Sequence, residues 1–148
     1  MVVGTGGVGS AIAASLAAEK IKAISLFDVN TSACEALAQR LVNEYPHIQV
    51  NTGSNDPDGH DLVVNATPMG MNDGDPLPID VSRLAPETFV GEVVMRTEMT
   101  AFLQAAQNRG CQVQLGIDML FEQIPAYLEY FGFKTTTADV LRTVASLG

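Results

Sequence analysis

The sequence predicts an α/β chain with a doubly wound, parallel, six-stranded sheet in the order 3-2-1-4-5-6. Three observations carry this prediction: a glycine-rich turn near the start, short apolar runs that alternate with helical patterns, and an acid at the end of the second apolar run. Alternation of strand and helix patterns is typical of βαβ units, whose strands are parallel.

The glycine-rich turn has the spacing G-x-G-x-x-G, formed by Gly4, Gly6 and Gly9. In this motif the first glycine permits a tight turn, the second lets the backbone approach a pyrophosphate, and the third lets the helix pack on the strand. The helix that follows begins with unpaired N–H groups and can bind phosphates without a lysine. Three glycines can also form a plain turn between a strand and a helix, and the motif alone leaves this alternative open.

The residues after the turn favour a dinucleotide site. Val8, Ile12 and Leu16 recur at helical spacing, and an apolar run over 23–27 ends at Asp28. An acid about 20 residues past the glycines lies where the ribose hydroxyls of a dinucleotide bind. An alternative for Asp28 is that it helps to cap the next helix.

The remaining elements follow in chain order. A capping box at Ser32 to Glu35 predicts the start of the second helix, and Pro46 ends it. Further strands are predicted at 48–51, 61–65, 89–94 and 113–115, and further helices at 98–109, 119–131 and 138–147. Pro125 either sets the start of its helix or kinks it. The long segment 66–88 is predicted as a loop with one turn near 81–84, and the broken segment 53–60 crosses the sheet without a helix.

The length, charge and composition of the chain limit which classes of function are expected. At 148 residues and 47% hydrophobic the chain is predicted to form one domain, over 1–148. Its net charge of −9 argues against nucleic acid or an anionic membrane as partner. With no long apolar run or leader pattern, we expect a soluble cytoplasmic protein. The two cysteines and two histidines show no ligand spacing, so no metal is expected.

Several stretches resemble one enzyme family. The run Asp61-Leu62-Val63-Val64-Asn65-Ala66-Thr67-Pro68-Met69-Gly70-Met71 resembles a signature of the shikimate and quinate dehydrogenases. Stretches 90–94 and 100–106 resemble the next block, and Gly116, Met119 and Gln123 fall in the last block at the right spacing. The resemblance covers nearly all of 2–132 and only the family's carboxyl-terminal domain, which is a Rossmann fold. It implies hydride transfer between a nicotinamide and a ring hydroxyl of a shikimate- or quinate-like acid.

The resemblance also implies roles for individual residues. The backbone from Gly4 to Gly9 would hold the pyrophosphate, and Gln123 would reach a substrate hydroxyl. The predicted cofactor-binding residues are Gly4, Thr5, Gly6, Gly7, Val8, Gly9, Asp28, Val29, Asn30, Thr67, Pro68, Met69, Gly116 and Met119. Three alternatives stay open: Thr67 caps its loop, the methionines fill the core, and Gln123 is a solvated helix residue.

The cofactor is predicted to be NAD. Asp28 can accept hydrogen bonds from both adenosine ribose hydroxyls, whereas a 2′-phosphate would face its negative charge. NADP-preferring members of the family present an asparagine-arginine pair at this turn, and here residues 29–31 include no basic side chain.

Two departures from the family leave the substrate open. Met95 stands where members commonly have a substrate-binding tyrosine, and a thioether cannot donate that hydrogen bond. Thr97 replaces the usual proline two positions later. Arg96, between them, either pairs with a substrate carboxylate or points into water.

The family's catalytic lysine and aspartate belong to an amino-terminal substrate domain, which is absent from this chain. Lys20, Lys22 and Lys134 match no catalytic position, so no catalytic residue is assigned and we expect a fragment that is inactive alone. A stand-alone NAD-binding module is the alternative function, and a methylene-tetrahydrofolate dehydrogenase is a weaker one. We also expect the last helix to expose an apolar stripe, Val140, Leu141, Val144 and Leu147, through which the chain forms a homo-oligomer.

Overall fold

The computed structural model describes residues 1–72, 74–95 and 99–144. Its strands are β1 (Val2–Val3), β2 (Ala23–Phe27), β3 (Gln49–Thr52), β4 (Leu62–Asn65), β5 (Phe89–Glu92) and β6 (Gln112–Gln114). Its helices are α1 (Gly7–Ala18), α2 (Thr31–Glu44), α3 (Ala101–Asn108), α4 (Gly116–Tyr130) and α5 (Ala138–Val144), with a short 3₁₀ helix at Val81–Arg83. The 3₁₀ helix confirms the turn predicted within the long loop.

The six strands form one parallel sheet in the order β3-β2-β1-β4-β5-β6, so the predicted fold is confirmed. Val3 of the central strand pairs with Phe27 on one side and Asn65 on the other. The chain changes direction of winding between β1 and β4, and the carboxyl edge at such a point is where open α/β sheets bind ligands. The loops after β1, β2 and β4 therefore meet at this edge.

The crossover from β3 to β4 has no helix, as the sequence predicts. Residues 53–60 form turns and bends, in which Gly53 and Gly59 adopt φ of +90° and +72°. Such φ values are left-handed conformations that glycine adopts without steric penalty. Eight residues thus carry the chain from one edge strand to the other side of β1.

Two apolar clusters fill the two faces of the sheet. Successive strand residues point to opposite faces. Val2 packs with residues of α1 and α2, and Val3 packs with residues of α3 and the loop before β5. Both valines are almost fully buried, which agrees with a parallel sheet covered on both faces.

The predicted capping box at Ser32 is wrong as a helix start. Asn30 is the cap of α2, because its side-chain oxygen accepts a hydrogen bond of 3.1 Å from the N–H of Ala33. Ser32 and Glu35 consequently lie inside the helix. A short polar side chain two residues nearer to β2 supplies the acceptor first, and this fixes the entry of α2 just after Asp28.

The start of α4 is also earlier than predicted. The helix begins at Gly116, three residues before the predicted Met119, and Pro125 lies inside it. A Cβ atom on Gly116 would overlap the carbonyl oxygen of Val94. Glycine therefore lets the first turn of α4 pack directly against the chain that leaves β5. Pro125 does not set the start, and its carbonyl accepts a hydrogen bond from Thr135.

The carboxyl-terminal helices pair with each other. Arg142 of α5 forms ion pairs with Asp118 and Glu122 of α4. Of the predicted apolar stripe, Val140 and Val144 are 51% and 72% exposed, whereas Leu141 is half-buried. Its last member, Leu147, lies outside the described residues. Glu98, the predicted first residue of α3, is also outside them, and Thr100 caps that helix.

Candidate functional site

The glycine turn has the geometry that its spacing predicts. Gly4 adopts a φ of +97°, and a Cβ atom there would come within 2.8 Å of the Ala66 carbonyl group. A Cβ atom on Gly9 would overlap the carbonyl oxygen of Gly4. At Gly6 and Gly7, by contrast, a Cβ atom would meet only open space. Gly4 and Gly9 are thus needed by the fold, whereas Gly6 leaves room for a group that approaches the backbone.

The amino end of α1 offers uncompensated N–H groups. Gly6 is the helix cap, no side chain caps the helix, and the first turn contains no acid. The first N–H groups of a helix have no intrahelical partner and carry a partial positive charge. The start of α1 is therefore suited to bind an anion such as a pyrophosphate. This fits a dinucleotide, and Gly7 and Val8 stay predicted members of the site.

Asp28 is held in place by the glycine turn. Its Oδ2 atom accepts hydrogen bonds from the N–H of Thr5 at 2.6 Å and from the Thr5 hydroxyl at 2.9 Å. Its Oδ1 atom accepts one from the N–H of Asn30 at 2.9 Å. The loops after β1 and β2 are thus joined through one carboxylate, and Thr5 turns its N–H towards Asp28 instead of leaving it free for a phosphate.

The carboxyl group of Asp28 is stabilised in its charged form. Partial burial raises its pKa, but the hydrogen bonds from Asn30 and Thr5 outweigh burial and hold the pKa below the usual 3.8. The side chain is therefore ionised at neutral pH. Val29, the next residue, is 90% exposed.

Asn65 organises the loop that follows β4. Its Oδ1 atom accepts hydrogen bonds from the N–H and the hydroxyl of Thr67, at 3.1 and 2.6 Å, and its Nδ2 atom donates to the carbonyl of Met69 at 3.0 Å. The Thr67 hydroxyl in turn accepts from the N–H of Met69 at 3.1 Å. Thr67 does hold its own loop, as the alternative interpretation proposes. Our sequence reasoning did not select Asn65, although an amide that ends an apolar strand before Thr-Pro is a usable signal.

One cavity of about 350 Å³ brings half of the predicted cofactor-binding residues together. It lies at the carboxyl edge of β1, β2 and β4, and ligand pockets commonly occupy about 300–1,000 Å³. Its lining residues are Val3, Gly4, Gly6, Phe27, Asp28, Val29, Ala66, Thr67, Pro68, Met69 and Pro78. Seven of these are predicted cofactor-binding residues. An apolar wall with one ionised carboxylate suits a nucleoside, whose base is planar and whose ribose donates hydrogen bonds.

Two predicted residues of α4 lie in a different place. Met119 and Gln123 line a second cavity of about 390 Å³, between α1 and α4 over β4 and β5. Gln123 is exposed, and its Oε1 atom accepts a hydrogen bond from the Tyr127 hydroxyl at 3.2 Å. The structure therefore brings the pyrophosphate and ribose residues together but does not join Met119 and Gln123 to them.

The carboxyl end of β5 contributes a second residue that sequence reasoning missed. Glu92 ends β5 next to Asn65 of β4 and is only 5% exposed. Burial raises its pKa, and hydrogen bonds from Thr100 and Asn65 lower it by less. The sequence did contain a signal for Glu92, because an acid at the end of an apolar strand is visible in the pattern. Met95 is 47% exposed, and Arg96 and Thr97 lie outside the described residues.

Comparisons with known proteins agree with this site. No protein-family model matches the chain. A shikimate dehydrogenase (NADP(+)) of Paracoccus denitrificans is 33% identical over 142 residues, which are 95% of this chain and 50% of that protein. The crystal structure of quinate dehydrogenase from Corynebacterium glutamicum in complex with NAD is 32% identical, with a TM-score of 0.83 over 96% of this chain and 52% of that one.

This chain is a homologue of the shikimate and quinate dehydrogenases. It spans about half the length of the curated relatives it matches, and the matched half has the dinucleotide-binding fold. Another solved structure, 5-ketofructose reductase of Gluconobacter sp. strain CHM43, is 27% identical, with a TM-score of 0.85 over 96% of this chain and 53% of that one. The fold is thus shared by relatives whose names give different substrates.

The described residues lack two features that would indicate other kinds of site. They contain no group of three or more His, Cys, Asp or Glu side chains placed to hold a metal ion. None of the helices in the described parts of the chain combines the length and apolar character needed to cross a membrane.

Proposed function

We propose that this chain is the NAD(H)-binding domain of a dehydrogenase related to the shikimate and quinate enzymes. The observation that carries the proposal is the cavity in which Gly6, Asp28 and Thr67 meet at the carboxyl edge of the sheet. When bound, a nicotinamide supplies the acceptor or donor of hydride. The chain supplies an anion site at the start of α1, a ribose-binding carboxylate and a loop for the nicotinamide half.

The proposal includes NAD rather than NADP as the preferred cofactor. Relatives of both kinds exist by name, so similarity does not decide between them. An ionised Asp28 would repel a 2′-phosphate at a few ångströms, and residues 29–31 offer no cation to offset the repulsion. A carboxylate has about four acceptor positions, and three are already used by Thr5 and Asn30. We infer that about one acceptor position of the carboxylate, on Oδ1, remains free for a ribose hydroxyl.

The proposed substrate is a shikimate- or quinate-like acid. The names of the relatives support this class, and Gln123 is the residue of this chain proposed to contact it. Because its Oε1 atom accepts from Tyr127, its amide N–H groups stay available to a hydroxyl oxygen. Met95 offers no comparable donor, and the 5-ketofructose reductase shows that relatives of this fold are named for a different substrate.

We propose that the chain binds its cofactor without turning over substrate. Hydride removal from an alcohol needs a base on the hydroxyl, and none of the ion pairs among the described residues includes a lysine. A stand-alone NAD-binding module has the same property and is the second candidate. The proposed location is the cytoplasm, because both cysteines are buried and unpaired, as is usual in reducing compartments.

Calorimetric titration tests the proposed cofactor. NAD and NADP are titrated separately into the purified chain at the same ionic strength, since salt screens the repulsion. The expected result is saturable binding of NAD and at least tenfold weaker binding of NADP, which corresponds to about 1.4 kcal/mol. Equal affinities would refute the role given to Asp28, and binding of neither would refute the function.

A further inference from the structure

A buried acid, Glu92, lies next to the loop after β4 but outside the cavity that Thr67 and Met69 of this loop line together with Asp28. Glu92 is in register with Asn65 across β4 and β5, and it is 95% removed from solvent. Among the described residues, no group forms a hydrogen bond with its Oε2 atom. Leaving a buried polar atom without a partner is destabilising, and an apolar residue at this strand position would avoid that cost.

Glu92 connects two loops at the carboxyl edge. The side chains of Asn65 and Thr100 lie close enough to lower the pKa of this carboxyl group, although by less than burial raises it. Thr100 is the cap of α3, where its hydroxyl oxygen accepts from the N–H of Leu103 at 3.2 Å. Asn65 is the residue that holds Thr67 in the loop after β4. The carboxyl group therefore lies between the start of α3 and the loop proposed to carry the nicotinamide half.

The hydrogen bonds of Asn65 explain what a carboxyl group can do here. Its amide nitrogen has two N–H donors, one of which reaches the carbonyl of Met69. The second N–H needs an acceptor, and the carboxyl group of Glu92, the register partner of Asn65 on β5, is the group suited to supply it. If the amide turned over, its oxygen would face the oxygens of Glu92 and Met69. An acceptor at Glu92 thus keeps the Asn65 oxygen directed at Thr67.

We propose that Glu92 is a positioning residue for the nicotinamide half of the cofactor site, acting through the amide of Asn65. It makes no contact with the cofactor itself. This inference rests on the proposed function. It predicts that loss of Glu92 weakens binding of the complete dinucleotide but not of ADP, which contains only the adenosine and pyrophosphate part.

The test compares Glu92→Ala, Glu92→Asp and Glu92→Gln with the unmodified chain, using NADH fluorescence and calorimetry with ADP. Alanine removes the acceptor, aspartate withdraws it by one methylene group, and glutamine retains one acceptor oxygen. Thr88→Val is the matched control. Thr88 is also buried, at the other end of the same strand segment, and its hydroxyl donates to the carbonyl of His60 at 2.9 Å.

Glu92→Ala is expected to weaken NADH binding about tenfold, as when a hydrogen bond worth about 1.4 kcal/mol is lost, and to leave ADP binding within about twofold. Glu92→Asp should also weaken NADH binding relative to ADP binding. It replaces the alanine variant in the test if Glu92→Ala does not fold. Glu92→Gln and Thr88→Val should bind both ligands as the unmodified chain does.

Equal weakening of NADH and ADP in the alanine and aspartate variants would show a merely structural role and overturn the inference. Unchanged NADH binding in both would also overturn it, and so would a loss in Glu92→Gln as large as in Glu92→Ala. Failure of the unmodified chain to bind NADH and ADP is a separate result, which refutes the proposed function together with this inference.

Discussion

The carboxylate of Asp28 accepts two hydrogen bonds from Thr5 on a single oxygen atom, at 2.6 and 2.9 Å. This relationship joins the glycine turn to the end of β2. The direction of the other oxygen, Oδ1, is fixed as well, because Oδ1 accepts a hydrogen bond from the N–H of Asn30. The same three hydrogen bonds lower the pKa of Asp28. They therefore set both the charge and the orientation of the carboxylate at the proposed ribose position.

Replacing this charge is expected to reduce the preference for NAD. In Asp28→Asn the repulsion of a 2′-phosphate disappears, and calorimetry should show that the ratio of NADP to NAD affinity rises about tenfold or more. Asp56→Asn is the matched control, because it removes the same charge from an exposed ion pair with Arg83. A ratio that changes equally in both variants would attribute the effect to net charge alone.

Glu92 is expected to make stability fall as the pH rises. Its folded pKa is raised above the ordinary 4.5 by burial, so the folded state binds its proton more tightly than the unfolded state. The stabilisation is fully present below pH 4.5 and is lost as the pH rises through the folded pKa. Thermal melts between pH 4 and 8 should show the unmodified chain losing stability relative to Glu92→Gln. A constant difference across this range would contradict the prediction.

Two glycines of the turn should respond in opposite ways to alanine. Gly9→Ala places a Cβ atom on the carbonyl oxygen of Gly4, so we expect a loss of more than about 2 kcal/mol in the free energy of unfolding. At Gly7 the space is open, and Gly7→Ala should be neutral or stabilise α1 by up to about 1 kcal/mol. Urea denaturation measures both, and similar losses in the two variants would contradict the packing role of Gly9.

The purified 148-residue chain should show no oxidation of shikimate or quinate. Because hydride removal needs a base on the hydroxyl, the expectation rests on the proposed role of this chain as a cofactor-binding domain to which no catalytic residue is assigned. Absorbance at the NADH band is followed with saturating NAD and either acid. Formation of NADH above the rate of a boiled sample would show that the chain holds its own base.

The carboxyl-terminal helices should mediate self-association. Tyr127, Tyr130, Phe131 and Phe133 are 54–83% exposed, and the rings of Tyr130 and Phe131 contact each other. At roughly 150–250 Å² for each aromatic side chain, the patch exposes on the order of 400–600 Å². A patch of this size approaches the roughly 800 Å² that each partner buries in a stable dimer, and a second copy is the occupant we expect.

Sedimentation over a range of concentrations measures this association. The double variant Tyr130→Ser with Phe131→Ser should shift the chain towards monomer, whereas Val42→Ser, a substitution at an exposed apolar residue of α2, should not. A monomer at the highest concentration of the unmodified chain would contradict the prediction.

The sequence by itself determined the fold class, the strand order and the position of Asp28. These features are local, because glycine spacing, helical periodicity and the acid at a strand end are each readable within about 20 residues. The glycine roles follow for the same reason: a turn with φ of +97° at Gly4 is a property of its own backbone. The helix starts could not be predicted from local pattern alone. Both Asn30 and Ser32 are residue types that can cap α2, and the structure uses Asn30. The start of α4 at Gly116 depends on close packing against the carbonyl of Val94.

Only the tertiary structure decided how the site is held together. Thr5 and Asp28 are 23 residues apart in the chain, and their contact depends on the parallel pairing of β1 with β2. Asn65 and Glu92 become neighbours through the register of β4 with β5. A hydrogen bond between two distant segments leaves no periodic pattern in the sequence of either segment. The two partners come within reach of each other only when the sheet has folded.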